Sequence, residues 1–279
     1  MPVMQLWNFQ TGCTKVSEGC LNCYAEASYI RYGHDFRNVH KTKQFNAVLD
    51  HNKYPSGEDV WVCNTSDFFH PDGAPWRSEV WDMIKARPDL RFMIVTKRVA
   101  RIAQSLPSDW NDGYDNVWLC CTAENQANAD LRLPIFSAIP IKHKMIMVEP
   151  LLGQVDISKY LATGQYVQVV SGGECCQSKN CRLTLFDDVT FLLDQCRKYD
   201  VTFTFERTGT RWCGAGAGEK YQYIRGQGEQ VNLAETLALN YWSGNPDCFR
   251  LPIKYSGCQR KTKLKPTPKQ QTLFDMASK

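Results

Sequence analysis

The stretch Gly12-Cys13-Thr14-Lys15-Val16-Ser17-Glu18-Gly19-Cys20-Leu21-Asn22-Cys23-Tyr24 spaces three cysteines as C-x6-C-x2-C. It directly follows an apolar run, Leu6–Thr11, that reads as a first strand. A loop of this kind is suited to hold a metal, because thiolates favour zinc and iron–sulfur clusters. Structural zinc normally closes four ligands, whereas three cysteines sit together here, so one corner stays open.

Working outward, six further runs rich in β-branched and aromatic residues read as strands: Val60–Asn64, Phe92–Thr96, Val117–Thr122, Lys144–Val148, Tyr166–Ser171 and Thr202–Phe205. Segments such as Ser78–Arg87 and Leu185–Tyr199 carry apolar residues at helical spacing between them. The alternation predicts an α/β fold, a parallel (β/α) barrel, full or partial, over residues 1–210. Every run ends in small, polar or charged residues, and in barrels the carboxyl ends of strands form one functional rim. The cysteine loop belongs to that rim. A four-iron cluster held by three thiolates keeps one iron free for the amino and carboxylate groups of S-adenosylmethionine, which one electron then cleaves to a 5′-deoxyadenosyl radical. The zinc alternative stays open, with His34 or a distant cysteine as fourth ligand.

The 279 residues suit one barrel-sized domain with extensions, and no stretch of eighteen apolar residues suggests a membrane span. Met1–Asn8 lacks the basic and apolar regions of a secretory signal, so the expected location is cytoplasmic. The thirteen cysteines then point to metal or cluster binding more than to disulfides. A net charge of +4 demands no nucleic acid by itself, although lysines gather near the carboxyl end.

Several motifs stand out together: Trp7-Asn8, Thr11-Gly12-Cys13 through Cys23-Tyr24-Ala25-Glu26, Ser66-Asp67-Phe68-Phe69-His70, Val95-Thr96-Lys97-Arg98, Asn116-Val117-Trp118-Leu119, Glu124-Asn125-Gln126, Glu149-Pro150-Leu151-Leu152-Gly153 and Gly172-Gly173-Glu174. In combination they resemble a known family, the phage-associated Gp37/Gp68 proteins (DUF5131), radical-SAM-like proteins with a three-cysteine motif. The resemblance covers most of residues 5–207 and implies a barrel of the radical SAM type with a [4Fe-4S] cluster on Cys13, Cys20 and Cys23. It also implies S-adenosyl-L-methionine as cofactor and an electron donor such as flavodoxin. Phage association suggests a nucleic-acid base or nucleotide as substrate, in DNA hypermodification or repair and inside the host cytoplasm. The other candidate readings are a zinc-binding, non-catalytic DNA-associated protein and a radical enzyme acting on a small metabolite. Where relatives tend to have Ser-Gly after Gly-Gly-Glu this chain has Cys175-Cys176, and it has Glu206 where they tend to have lysine.

At the rim, Lys97 and Arg98 suit a carboxylate or phosphate, with ion pairs to Glu124 or Glu149 as the structural alternative. These two cations and Glu206 are the candidate catalytic residues. Tyr24, Ser66, Asp67, Glu124, Glu149, Gly172, Gly173 and Glu174 are the candidate cofactor contacts, by aromatic packing, hydrogen bonding or close backbone approach. Cys175, Cys176, Cys181, Cys213 and Cys258 lack a C-x2-C pair and read as unbonded, partly buried thiols, with a second metal or cluster as the alternative. Residues 211–260 form an extension on or near the barrel mouth, and its Arg211–Arg225 segment, aromatic and glycine-rich, suits covering a substrate or stacking a base. Residues 261–279 are a basic, proline-containing linker and tail. The tail's Gln270, Leu273 and Phe274 match a peptide by which bacterial DNA enzymes dock on the sliding clamp.

Overall fold

The seven apolar runs form seven strands of one sheet: β1 (Val3–Trp7), β2 (Asp59–Val62), β3 (Arg91–Thr96), β4 (Val117–Thr122), β5 (His143–Val148), β6 (Tyr166–Gly172) and β7 (Thr202–Arg207). They neighbour one another in chain order, all parallel, and an eighth strand, β8 (Lys254–Tyr255), lies parallel outside β1. This is a computed structural model describing residues 3–176, 180–214, 221–249 and 254–255. Cys258, the basic linker and the Gln270–Phe274 motif lie outside the described residues.

The expected parallel α/β barrel is therefore present as a partial barrel. Apolar side chains on both faces explain why the strands read as continuous apolar runs, all six residues of β4 being buried. The outer face packs against α2 (Arg77–Lys85), α3 (Gln126–Ala138) and α5 (Phe186–Lys198), preceded in the chain by α1 (Tyr24–Arg31) and, between α3 and α5, by the short α4 (Ser158–Leu161). α5 buries Val189, Leu192, Leu193 and Cys196 at helical spacing, with Asp187 and Asp188 in its first turn and Arg197 and Lys198 in its last, as the helix dipole favours. Met4, Met93, Trp118, Cys120, Met145, Met147 and Val170 form a second cluster on the inner face. Flat, strands β1 to β6 would spread over roughly 24 Å at ~4.8 Å per strand, so a shared inner core implies a curled sheet. Phe249 completes this core near the strands' amino ends, its amide donating to Gln168 Oε1 at 2.9 Å. α6 (Gln227–Leu237) packs against β7.

The first strand lies earlier than the sequence suggests, Val3–Trp7 in place of Leu6–Thr11. At Asn8 the chain leaves the sheet: its side-chain oxygen accepts from Thr65 N and its carbonyl from Thr42 Oγ1. Gln10–Thr11 then pairs antiparallel with His40–Lys41. No helix among the described residues is long and apolar enough to cross a membrane.

Candidate functional site

A cavity of about 340 Å³ opens at the carboxyl ends of the strands, taking Leu6, Trp61, Val95, Thr122, Met147 and Arg207 from six of them. Cys13, Cys20 and Cys23 all line it. Their loop is shaped by local bonds: Cys13 N donates to Phe36 O at 2.8 Å, and Cys20 N closes a turn on Ser17 O at 3.0 Å before α1 begins at Tyr24. Ser66 Oγ donates to Gly12 O at 2.6 Å, tying the loop to the segment after β2.

Two buried carboxylates hold the middle of the loop. Glu124, fully buried after β4, accepts from Ser17 Oγ and from Arg132 of α3, whose Nη1 also donates to Thr122 O at 2.8 Å. Gly19 lies so close that any Cβ there would overlap the Glu124 carboxylate. Glu174, after β6, accepts from Asn22 Nδ2 at 2.8 Å and is bridged by Arg182, whose Nη1 also donates to Glu18 O at 2.8 Å. Burial alone raises the Glu174 carboxyl, but the Arg182 and Asn22 hydrogen bonds outweigh it and hold it below its ordinary range. Each carboxylate thus has an arginine against it, as buried charges require.

The other rim residues divide in the same way. Asp67 accepts from Phe69 N, Thr96 Oγ1 and Lys97 N at 2.9, 2.8 and 3.1 Å, which makes it a fastener between two loops that also faces the cavity. Arg98 turns to the cysteine loop, donating to Thr14 O at 2.8 Å and reaching Cys13 Sγ at 3.9 Å. Lys97 lines the cavity, 3.8 Å from Glu124 and 3.4 Å from Glu149 O. Glu149 is ion-paired with Arg207 at 3.1 Å, while Glu206 is buried behind Arg207 at 3.2 Å. Gly172 and Gly173 approach protein groups closely, Glu149 for the first and Thr208 for the second. Tyr24 lines the cavity with its hydroxyl on Asn64 O at 2.7 Å. Arg132, Arg182 and Ser17 were not evident in the sequence, since nothing in their local pattern marks a charge partner 8 residues or more away.

Three residues that line the cavity, Asn64, Thr122 and Glu149, each hold a buried side-chain oxygen without a hydrogen-bond partner: Oδ1, Oγ1 and Oε2. Groups left in this state are costly unless a ligand satisfies them. They offer acceptors for the hydroxyl and amino groups of a ligand such as S-adenosylmethionine. Three thiolates of one loop suit a cluster that leaves one iron open, and suit zinc where a fourth ligand joins them. Burial, with Asp67 nearby, pushes the Cys13 thiol up to about 11 and raises Cys23 too, so loading a metal must displace protons.

The second cysteine set departs from expectation. Cys176 and Cys181 are disulfide-bonded rather than unbonded thiols. Thr210 Oγ1 binds both the amide and the carbonyl of Cys176 and Arg211 Nη1 binds Cys181 O, bringing the two Cα atoms to 5.8 Å, within disulfide reach. Glu174 lies beside the two sulfurs, but its carboxylate is taken by Arg182 and Asn22. Cys175 carries no disulfide and lines the cavity.

Comparison with known proteins gives one family and two solved structures. A family model described as "Protein of unknown function (DUF5131)" matches residues 3–245. A spore photoproduct lyase complexed with dinucleoside spore photoproduct is similar at 14% identity, over 68% of this chain and 71% of that one, with a TM-score of 0.46. A doubly substituted mutant of spore photoproduct lyase with bound AdoMet and dinucleoside spore photoproduct is similar at 14% identity, over 75% of this chain and 57% of that one, with a TM-score of 0.43. No curated protein matches the chain.

Proposed function

The chain belongs to the DUF5131 family, and on that premise we propose that it is a radical S-adenosylmethionine enzyme acting on a nucleic-acid base or nucleotide. The observation that carries this reading is the placement of Cys13, Cys20 and Cys23 around one cavity at the carboxyl rim of a parallel partial barrel. In this reading the three thiolates hold a [4Fe-4S] cluster, and Glu149, Thr122 and Asn64 meet the hydroxyl and amino groups of the bound cofactor. When bound, the cluster supplies one electron and S-adenosylmethionine supplies the carbon radical that takes a hydrogen atom from substrate.

The chain's own groups do the rest. Tyr24 packs beside the cofactor with its hydroxyl fixed on Asn64 O. Lys97 places a cation at the cavity wall for a substrate or cofactor anion, Arg98 and Ser66 keep the cysteine loop in place, and Asp67 fastens the segments after β2 and β3 to each other. Glu124 and Glu174 hold the same loop through Ser17 and Asn22, and Glu206 acts through Arg207 on Glu149. A modified thymidine whose side chain is rearranged, or a damaged base that is cleaved, suits a radical of this strength. Flavodoxin or a similar donor supplies the electron, and the Gln270–Phe274 tail docks on the sliding clamp. Anaerobic reconstitution tests the cluster: this reading predicts about four irons and four sulfides per chain and a brown protein, whereas a colourless protein with one zinc overturns it.

A further inference from the structure

Beside the cavity, Arg211–Cys213 pairs antiparallel with Gln222–Tyr223, placing Arg211 directly opposite Tyr223. Trp212, the alternate residue, is buried, so Arg211 and Tyr223 share the outward face. Tyr221 and Arg225 flank this short strand, two residues either side of Tyr223. The guanidinium of Arg211 stacks over Tyr221 at 4.6 Å, and that of Arg225 over Tyr223 at 5.4 Å. Two ring–cation pairs therefore lie together at this ladder. Both tyrosines reach solvent, Tyr221 exposed by 55% and Tyr223 by 37%. The ladder runs into the cavity wall: Thr210 N donates to Glu174 O at 2.8 Å, Ile224 N to Thr210 O at 2.8 Å, and Gln227, two residues after Arg225, lines the cavity and donates to Cys175 Sγ.

We propose that this face is a docking surface for single-stranded nucleic acid, which passes across Tyr221, Arg211, Tyr223 and Arg225 and delivers one base into the cavity. Rings offer faces to any base and guanidinium groups offer charge to phosphates, the combination that binds a strand without reading its sequence. The occupant is an unstacked strand rather than a duplex by spacing. Alternate residues on one face of a strand stand ~7 Å apart, about twice the ~3.4 Å rise between stacked bases. The proposal deepens the reading that the substrate is a nucleic-acid base and rests on it.

The test is fluorescence anisotropy of a labelled twelve-nucleotide single strand with the reconstituted full chain at several salt concentrations, run beside an assay for 5′-deoxyadenosine. The paired change Tyr221→Ala with Tyr223→Ala should weaken binding by roughly tenfold or more. Tyr221→Phe with Tyr223→Phe should retain wild-type affinity, since the rings remain. Arg211→Gln with Arg225→Gln should lower the slope of affinity against salt. Thermal midpoints report that the variants fold, and the basic tail contributes equally to all of them. Equal affinity for the alanine pair and the wild type, or preference for the duplex of the same sequence, overturns the proposal. A wild type that forms 5′-deoxyadenosine but binds no single strand also overturns it while leaving the radical reading intact. A wild type that binds the strand through Tyr221 and Tyr223 but forms no 5′-deoxyadenosine upholds the surface and removes the radical reading.

Discussion

Asn22 Nδ2 donates to Glu174 Oε2 at 2.8 Å across 152 residues of sequence, joining the cysteine loop to the segment after β6. Because Asn22 sits between Cys20 and Cys23, whatever fixes Glu174 also fixes the thiols. Arg182 does so, and replacing Glu174 by alanine leaves that guanidinium without its partner. Removal of one member of a buried pair costs about 3–5 kcal/mol, and the lower end applies because Arg182 reaches solvent at its edge. Denaturant unfolding should show that loss, and Asn22→Ala should leave stability nearly unchanged while lowering iron retained after gel filtration. Full iron retention in both variants would show that the bond does not position the loop.

Gly19 offers a sharper probe of the contact with Glu124. A methyl group there overlaps the Glu124 carboxylate, so Gly19→Ala must push the loop off its seat. Overpacking of this kind costs about 1–3 kcal/mol. The loop bears the strain, so iron loading should fall several-fold while circular dichroism of the barrel is unchanged. Wild-type loading would mean that the loop seats elsewhere when the cluster is bound.

His70 supplies a pH signature. It is buried and its Nε2 lies 3.0 Å from Thr14 Oγ1 in the cysteine loop, while burial foremost, and then Arg98, lower its basicity below the usual imidazole value. The unfolded chain therefore binds a proton more readily than the folded one. His70 contributes stability that is fully present above pH ~6.5 and is lost as pH falls toward the depressed folded value. The thermal midpoint should drop over that window, and His70→Asn should flatten the drop. An identical pH profile in the variant would remove His70 as its cause.

Lys97 faces the cavity with one 3.8 Å ion pair and one long bond to Glu149 O. Lys97→Met should therefore shift the thermal midpoint by no more than a few degrees, since a loosely paired, partly solvated charge contributes about 0–1 kcal/mol. S-Adenosylmethionine affinity or turnover should fall at least tenfold. A large loss of stability with unchanged affinity would make the lysine structural.

Much of the sheet was legible because buried parallel strands are uniform apolar runs: Val117–Thr122 is predicted and found with the same bounds. β1 was misplaced because Asn8, which ends it, does so through a contact with Thr65 that local sequence does not reveal. The cysteine spacing was legible as a loop, and the structure brings all three thiols to one cavity. The supports of that loop were not, since Arg132 lies on a helix face and Arg182 beyond a disulfide, and each acquires meaning only when the chain folds a carboxylate against it. The same holds for Cys176, whose partner is set by Thr210 and Arg211 at the start of a later strand.

The most direct measurement is the yield of 5′-deoxyadenosine when anaerobically reconstituted protein is incubated with dithionite and S-adenosylmethionine, in the wild type and in Cys13→Ala, Cys20→Ala and Cys23→Ala. The radical S-adenosylmethionine reading predicts 5′-deoxyadenosine and methionine in equal amounts from the wild type and none from the three variants. A wild-type protein that carries a full complement of iron and sulfide yet yields no 5′-deoxyadenosine would contradict it.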